Sequence, residues 1–330
     1  MDNRGSTLFA AAMPSEFSLI ARHFTRPTRH TVLGVGDDCA IVAPSAGHEL
    51  LVSSDMLVAG THFLPDTDPL RLGWKTAAVN ISDIAAMGGT PRWITLALSL
   101  PAADEAWIAA LAQGFSECCT AFDVDWIGGD TTRGPLNLCA TVFGEAPSGQ
   151  AIRRGGARPG DEVWVSGWPG LAALGLRHLL DGIPLAEDWR AICVDALERP
   201  QPRVALGQSL RGIASAMLDV SDGLAGDLGH ILNASACGAV LDEAALPLGP
   251  ALAACNDAAR ARHCLLAGGD DYELVFTAPP SQRTALQAIA AAHGVPLTRI
   301  GACTAQTGLY LRAPDGRVEA LAAQGFDHFA

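Results

Sequence analysis

The run APSGQAIRRGGARPG at 146–160 is interrupted by glycine and proline throughout and has no hydrophobic period. Neither a helix nor a strand runs comfortably through such a stretch, because proline lacks the N–H both ladders need and glycine loses the most backbone entropy on ordering. The chain is therefore expected to fold as two halves joined here, and 330 residues are enough for two cores. The division is a loose extension over 1–13, an N-terminal domain over 14–147 and a C-terminal domain over 148–330. Before the junction the apolar spacing predicts a helix over 16–24 and strands near 32–42 and 49–56. A long helix over 70–87, stopped by Gly88-Gly89, leads to a strand over 93–100, a helix opened by Asp104, and strands at 124–127 and 136–144. After the junction come a strand at 161–167, helices near 171–181, 187–198 and 203–212, and a strand at 215–220. A helix after Asp222-Gly223, a strand at 238–243, a helix over 250–258, a strand at 272–277, a helix over 281–293 and two closing strands complete the pattern. Interleaving of this kind in both halves indicates an α/β or α+β class.

Charge and composition narrow the function classes. Hydrophobic residues make up 49% and charged residues 17%, an ordinary globular mixture. A net charge of −13 argues against a nucleic-acid partner, whose binding rests on basic surface. No apolar run reaches the ~18 residues that a membrane span needs, and MDNRGSTLFAAA at the start lacks the basic opening and apolar stretch of a signal peptide. Nine cysteines, an odd number without a C-x-x-C, read as free thiols in a reducing cytoplasm.

The acids are not scattered. They recur beside Gly, Ser or Thr at the ends of apolar stretches: GVGDD (34–38), SSDM (53–56), NISD (80–83), GGDTT (128–132), LDVSDG (218–223) and GGDDYE (268–273). Solvated turns explain one such motif, but six in one chain point to a shared cation. Mg²⁺ takes an oxygen shell of a few carboxylates plus substrate phosphates, and is the expected ion. The spacing also echoes between halves, with NISD before IGGD (127–130) and DVSD (219–222) before AGGD (267–270). No P-loop is present, since the single lysine, Lys75, lies in LGWKT without the glycines that loop needs. Nor does the G-x-G at 34–36 continue as a dinucleotide fingerprint. A polyphosphate would be held by divalent metal, backbone N–H groups and a few arginines, with Arg133, Arg153 and Arg154 best placed. Lys75 would solubilise its helix or bind a nearby carboxylate.

With EFSLIARHF, GVGDDCA, SSDMLVAGTHF, LGWKTAAVNISDIAAMGG, IGGDTTRGPL, RRGGARPGDEVWVSG, LDVSDGLAGDLGHI, GGDDYEL and the terminal GFDHF in this order, the chain closely resembles the thiamine-monophosphate kinase family over 14–329. The resemblance implies a two-domain fold like aminoimidazole-ribonucleotide synthetase. In that fold the N-terminal sheets of two subunits pair into a barrel, and ATP binds near the interface of the homodimer. It implies magnesium ligands at Asp38, Ser53, Ser54, Asp55, Asp83, Asp130, Asp219 and Asp222, with Asp37 less firmly matched. Nucleotide contacts fall on Gly129, Asp130, Arg154 and Ser221, and contacts to thiamine phosphate on His62, Asp270 and Phe326. Three departures stand out: Asp270 where the family usually has Glu, WPGLA (168–172) in place of an acid-bearing G-x-P-G-D-S, and Phe326 where Tyr or Trp is commoner.

The implied reaction is ATP-dependent phosphorylation of thiamine monophosphate to thiamine diphosphate, by direct in-line, Mg-assisted transfer. The acceptor's phosphate has a second pKa of ~6 and is a nucleophile at neutral pH without a strong base, which suits a chain with no Ser-His-Asp or Cys-His signature. Another ATP-using enzyme of the same fold, or a non-catalytic nucleotide- and metal-binding regulator, remain the alternatives.

Overall fold

The computed structural model describes residues 19–322 and 325. The expected extension over 1–13, the first residues of the 16–24 helix, and Phe326 with the rest of GFDHF after Gly325 lie outside the described residues.

The first half is built on a four-stranded sheet. Strands β1 (Thr31–Leu33) and β2 (Ile41–Val42) form a small ribbon around the GVGDD loop, where a single strand over 32–42 was expected. The sheet itself comprises β3 (His48–Val58), β4 (Thr90–Leu100), β5 (Asp125–Arg133) and β6 (Asn137–Pro147), in the order β3-β6-β4-β5. Helices α1 (Pro69–Ala86) and α2 (Glu105–Ala121) cover one face. The β4–β5 pair is parallel and the others antiparallel, so the half is α+β rather than doubly wound. The segment leading into the GVGDD loop is tied down by buried Asp125, which accepts the N–H groups of Arg29 and His30 at 2.8 and 2.6 Å and the Thr31 hydroxyl at 2.7 Å.

The second half contains β7 (Glu162–Ser166), α3 (Leu171–Asp181), α4 (Glu187–Glu198), α5 (Val204–Ser209), β8 (Ala216–Asp219), α6 (Leu224–Ser235) and β9 (Gly238–Asp242). It continues with α7 (Pro250–Ala253), α8 (Ala258–Ala267), β10 (Leu274–Ala278), α9 (Arg283–His293), β11 (Leu297–Thr304), β12 (Gly308–Arg312) and β13 (Val318–Ala320). Its strands form one sheet in the order β13-β12-β9-β11-β7-β10-β8. The expected helix over 250–258 is instead two. The first ends at Ala253, and Asp257 starts the second by accepting the Arg260 N–H at 3.0 Å, an N-cap inside what reads as one periodic run. The expected 203–212 helix ends at Ser209. No helix among the described residues is long and apolar enough to cross a membrane.

Helix α1 holds the halves together. Asp68 caps it by accepting the N–H groups of Leu70 and Arg71 at 2.9 and 3.1 Å, with Pro69 in its first turn. Fourteen of its 18 residues are buried, so it is enclosed on nearly every side rather than amphipathic. Close helix approach depends on glycine: a Cβ on Gly73 would sit 2.0 Å from the Leu111 carbonyl oxygen of α2, and one on Gly114 1.8 Å from that of Leu70. From the second half, α5 approaches so closely that a Cβ on Gly207 would lie 2.1 Å from the Ala85 carbonyl oxygen. Substituting Gly114→Ala is expected to lower unfolding stability by ~1–3 kcal/mol through overpacking, despite alanine's better helix propensity. A urea midpoint equal to or above that of the parent protein would contradict this account of the α1–α2 contact.

Candidate active site

A cavity of about 1030 Å³ opens between the halves. One wall comes from β3 and α1, with Ser53, Asp55, Lys75, Val79 and Asp83; the opposite wall comes from the end of β8, the loop after it and residues 268–272. Strand alternation turns Ser53 and Asp55 toward the helices, on the same face as buried Leu51 and Leu57. The Asp55 N–H is held by the Asn80 side-chain oxygen at 2.9 Å, and the Asn80 amide donates to the Thr76 carbonyl at 3.0 Å within α1. Asp83 accepts the Ser53 hydroxyl at 2.5 Å, and Asp219 accepts the Ser82 hydroxyl at 2.5 Å. Adjacent residues of α1 therefore contact both walls.

The loop after β8 is shaped by Asp227. One of its carboxylate oxygens accepts the N–H groups of Ser221, Asp222 and Gly223 at 3.0, 3.0 and 3.1 Å. That turn presents Ser221 and Asp222 to the cavity.

Crowded carboxylates dominate the electrostatics. Burial, reinforced by Asp83 and Asp222, pushes Asp55 up to about 6. Burial raises Asp83 against the opposing pull of Ser53 and Arg154, and raises Asp219 well above the ordinary carboxylate range, with Asp83 adding to the effect. Such a set is costly until a cation enters. The donors are all oxygen, as magnesium prefers, and Asp55, Asp83, Asp219 and Asp222 could hold it. Among the described residues no three acidic, histidine or cysteine groups already stand at metal-ligand spacing.

Of the expected site residues, Ser53, Asp55, His62, Asp83, Arg154, Asp219, Ser221, Asp222 and Asp270 line this cavity. The His62 Nδ1 accepts the Val58 N–H at 3.0 Å, fixing the turn after β3. Gly325 also lines it, next to the undescribed Phe326. Others lie elsewhere. Asp37 and Asp38 are exposed on the loop between β1 and β2, and Ser54 faces the other side of β3, with its hydroxyl on the Ala140 carbonyl at 3.0 Å. GGD is part of a strand rather than a turn beyond one. The row Asp55, Ala140, Leu96, Gly129 crosses the sheet on its helix-covered face, whereas Asp130 pairs with Ala97 on the uncovered face. Gly129 has φ 155° and a Cβ there would lie 1.8 Å from the Leu96 carbonyl oxygen, so close strand approach already requires glycine. Asp130 is thus three strands from Asp55, roughly 14 Å at the usual inter-strand spacing, and on the opposite face.

Sequence reasoning missed Asp227 and Tyr272, and for Lys75 the second of its two readings, a nearby carboxylate, holds. Lys75 is 3% exposed and forms an ion pair with Asp270 at 3.0 Å, so it does not solubilise its helix. A lone lysine amid the apolar residues of LGWKTAAV was the available signal.

Comparisons with known proteins give the family. The family model for AIR synthase related protein, N-terminal domain, matches residues 36–146, and the one for its C-terminal domain matches 158–313. These define a two-domain AIR synthase related protein. The thiamine-monophosphate kinase of Escherichia coli (strain K12) is 46% identical over 319 residues, covering 96% of this chain and 98% of that relative. The crystal structure of thiamine-monophosphate kinase from Stenotrophomonas maltophilia K279a superposes with a TM-score of 0.83 at 46% identity, over 92% of this chain and 95% of the other. AaThiL complexed with AMPPCP and TMP gives a TM-score of 0.76 at 29% identity, over 89% and 92% of the two chains. Within the AIR synthase related proteins, the chain belongs to the thiamine-monophosphate kinase family of enzymes.

Replacing Asp227 with leucine would strand three backbone donors and is expected to cost several kcal/mol of stability, roughly 1–3 per unsatisfied group before relaxation. Asp227→Asn keeps a carbonyl acceptor and should cost less. Equal chemical-denaturation midpoints for the two variants would rule out this role for the Asp227 oxygen.

Proposed function

We propose that the chain transfers the γ-phosphoryl group of ATP to the phosphate of thiamine monophosphate, in line and without a phospho-enzyme. The observation that carries this reading is the convergence of Asp55, Asp83, Asp219 and Asp222 with Arg154 in one inter-domain cavity of a chain of this family. The AaThiL complex, with AMPPCP and TMP bound to one protein, supports the choice of donor and acceptor. The acceptor is already an oxyanion nucleophile near neutral pH, so the protein's task is to align two polyanions rather than to abstract a proton. Arg154 offers a fixed cation at the cavity wall. The loop held by Asp227 presents backbone and hydroxyl donors at Ser221, and His62 and Asp270 bind the acceptor. Bound magnesium would screen donor and acceptor charges from each other, with the four aspartates as the residues that hold it. A reducing cytoplasm suits the nine free cysteines, six of them buried.

We further propose a homodimer built on the uncovered face of the N-terminal sheet. Leu50, Val52 and Met56 are 44%, 57% and 54% exposed there, an apolar stripe that a soluble monomer would rarely display. Asp130 shares that face, so any part it plays in phosphate or metal binding is in the partner's site. Asp37 and Asp38 sit on the loop that the Asp125 clasp anchors, and Asp38, with Asp37 less firmly, would serve as a magnesium ligand.

Incubating the protein with ATP, Mg²⁺ and thiamine monophosphate should yield the diphosphate; absence of product would overturn the reading. Asp55→Asn and Asp130→Asn are each expected to lower turnover at saturating Mg²⁺ by at least ~100-fold, as loss of a charge from an electrostatic site implies. Co-expressing the two variants with different tags and purifying through both gives a mixed dimer with one intact site, hence about half the parent activity per dimer. A mixed dimer as inactive as its parents would show that Asp55 and Asp130 do not combine across subunits.

A further inference from the structure

The structure assigns to Lys75 the role of a positioning residue for the acceptor: with Tyr272 it clamps one oxygen of Asp270 and leaves the other for the cationic acceptor. This rests on the proposed reading of Asp270 as an acceptor contact. Lys75, Val79 and Asp83 recur at four-residue spacing on one face of α1, and all three line the cavity. At 1.5 Å per residue the backbone of Lys75 lies about 12 Å along α1 from that of Asp83, on the same cavity-facing stripe. Its ammonium forms an ion pair with Asp270 Oδ1 at 3.0 Å and donates to the His62 carbonyl at 3.3 Å. The Tyr272 hydroxyl donates to the same Oδ1 at 3.1 Å. No hydrogen bond among the described residues uses Asp270 Oδ2.

A buried lysine that served packing alone would not need such a setting. Asp270 and Tyr272 both adopt left-handed backbone, with φ of 66° and 52°, a conformation that non-glycine residues keep only when their surroundings impose it. Every residue of the segment is fastened. Asp271 accepts the Gly170 N–H at 2.7 Å at the start of α3, and Glu273 accepts the Arg203 Nε–H at 2.8 Å and the Ser166 hydroxyl at 2.5 Å. Lys75 supplies the corresponding hold at Asp270, the only one of the four whose side chain lines the cavity with an oxygen to spare. The lysine also ties the His62 turn to Asp270, so one ammonium sets both groups expected to touch the acceptor. Aspartate, one methylene shorter than glutamate, reaches this lysine directly, and the clamp accommodates the shorter residue.

The test compares Lys75→Met, Lys75→Arg, Asp270→Asn, Tyr272→Phe and the Lys75→Met/Asp270→Asn double variant. Lys75→Met should raise the KM for thiamine monophosphate about tenfold or more, as loss of a charged hydrogen bond implies, and leave the KM for ATP within about twofold. Lys75→Arg should recover part of the loss, and Tyr272→Phe should show a smaller change of the same kind. The double variant should be little worse than Asp270→Asn alone, because both remove one unit. Multiplying effects, or a rise in the KM for ATP matching that for the acceptor, would overturn the assignment. If Lys75→Met does not fold, Asp270→Asn and Tyr272→Phe carry the same KM comparison. Calorimetric titration of the parent with thiamine monophosphate separates the two claims. Binding without turnover condemns the proposed reaction while leaving the clamp to be judged on affinities. Turnover with an unchanged acceptor KM in Lys75→Met condemns the clamp. No binding and no turnover reject both.

Discussion

A helix enclosed on nearly every side is tolerable only if each buried polar group it carries finds a partner, and α1 carries several. Thr76 closes on its own helix at the Leu72 carbonyl, Asn80 holds the Asp55 backbone, and Ser82 and Lys75 reach carboxylates of the second half. An unpartnered buried polar group costs about as much as several well-packed methyl groups contribute. The burial of α1 therefore fixes the cavity walls at the same time as it fixes the core. Packing through Gly73, Gly114 and Gly207 brings α2 and α5 against α1 at near backbone contact.

That arrangement explains what the sequence disclosed. Local signals were strong wherever one element decided its own fate. Asp68-Pro69 opens α1, Asp104 opens α2, and the 146–160 run separates the two sheets. The grouping of Asp55, Asp83, Asp219 and Asp222 was legible because each stands beside small residues near the end of an apolar stretch, whereas Asp37, Asp38 and Asp130 share that pattern and lie elsewhere.

The remainder depended on contacts that no local window contains. GGD reads as a turn, yet β5 runs through it because Gly129 lets the strand press against the Leu96 carbonyl. Which sheet face Asp130 occupies follows from the register of four strands, and a one-residue shift would reverse it. Asp227 resembles any acid in the first turn of a helix until the three N–H groups before it are seen to fold back onto its carboxylate. Lys75 had two open readings on sequence grounds, and the tertiary approach of residues 270–272 decided between them.

The Ser82–Asp219 hydrogen bond has a further consequence. It joins the middle of α1 to the end of a strand in the other sheet, where a nearly buried acid lies at the edge of the cavity. Separating the halves as rigid bodies would tear this seam and expose α1, so the two sheets are expected to lose their packing together. Two architectural domains thus share one buried seam through α1.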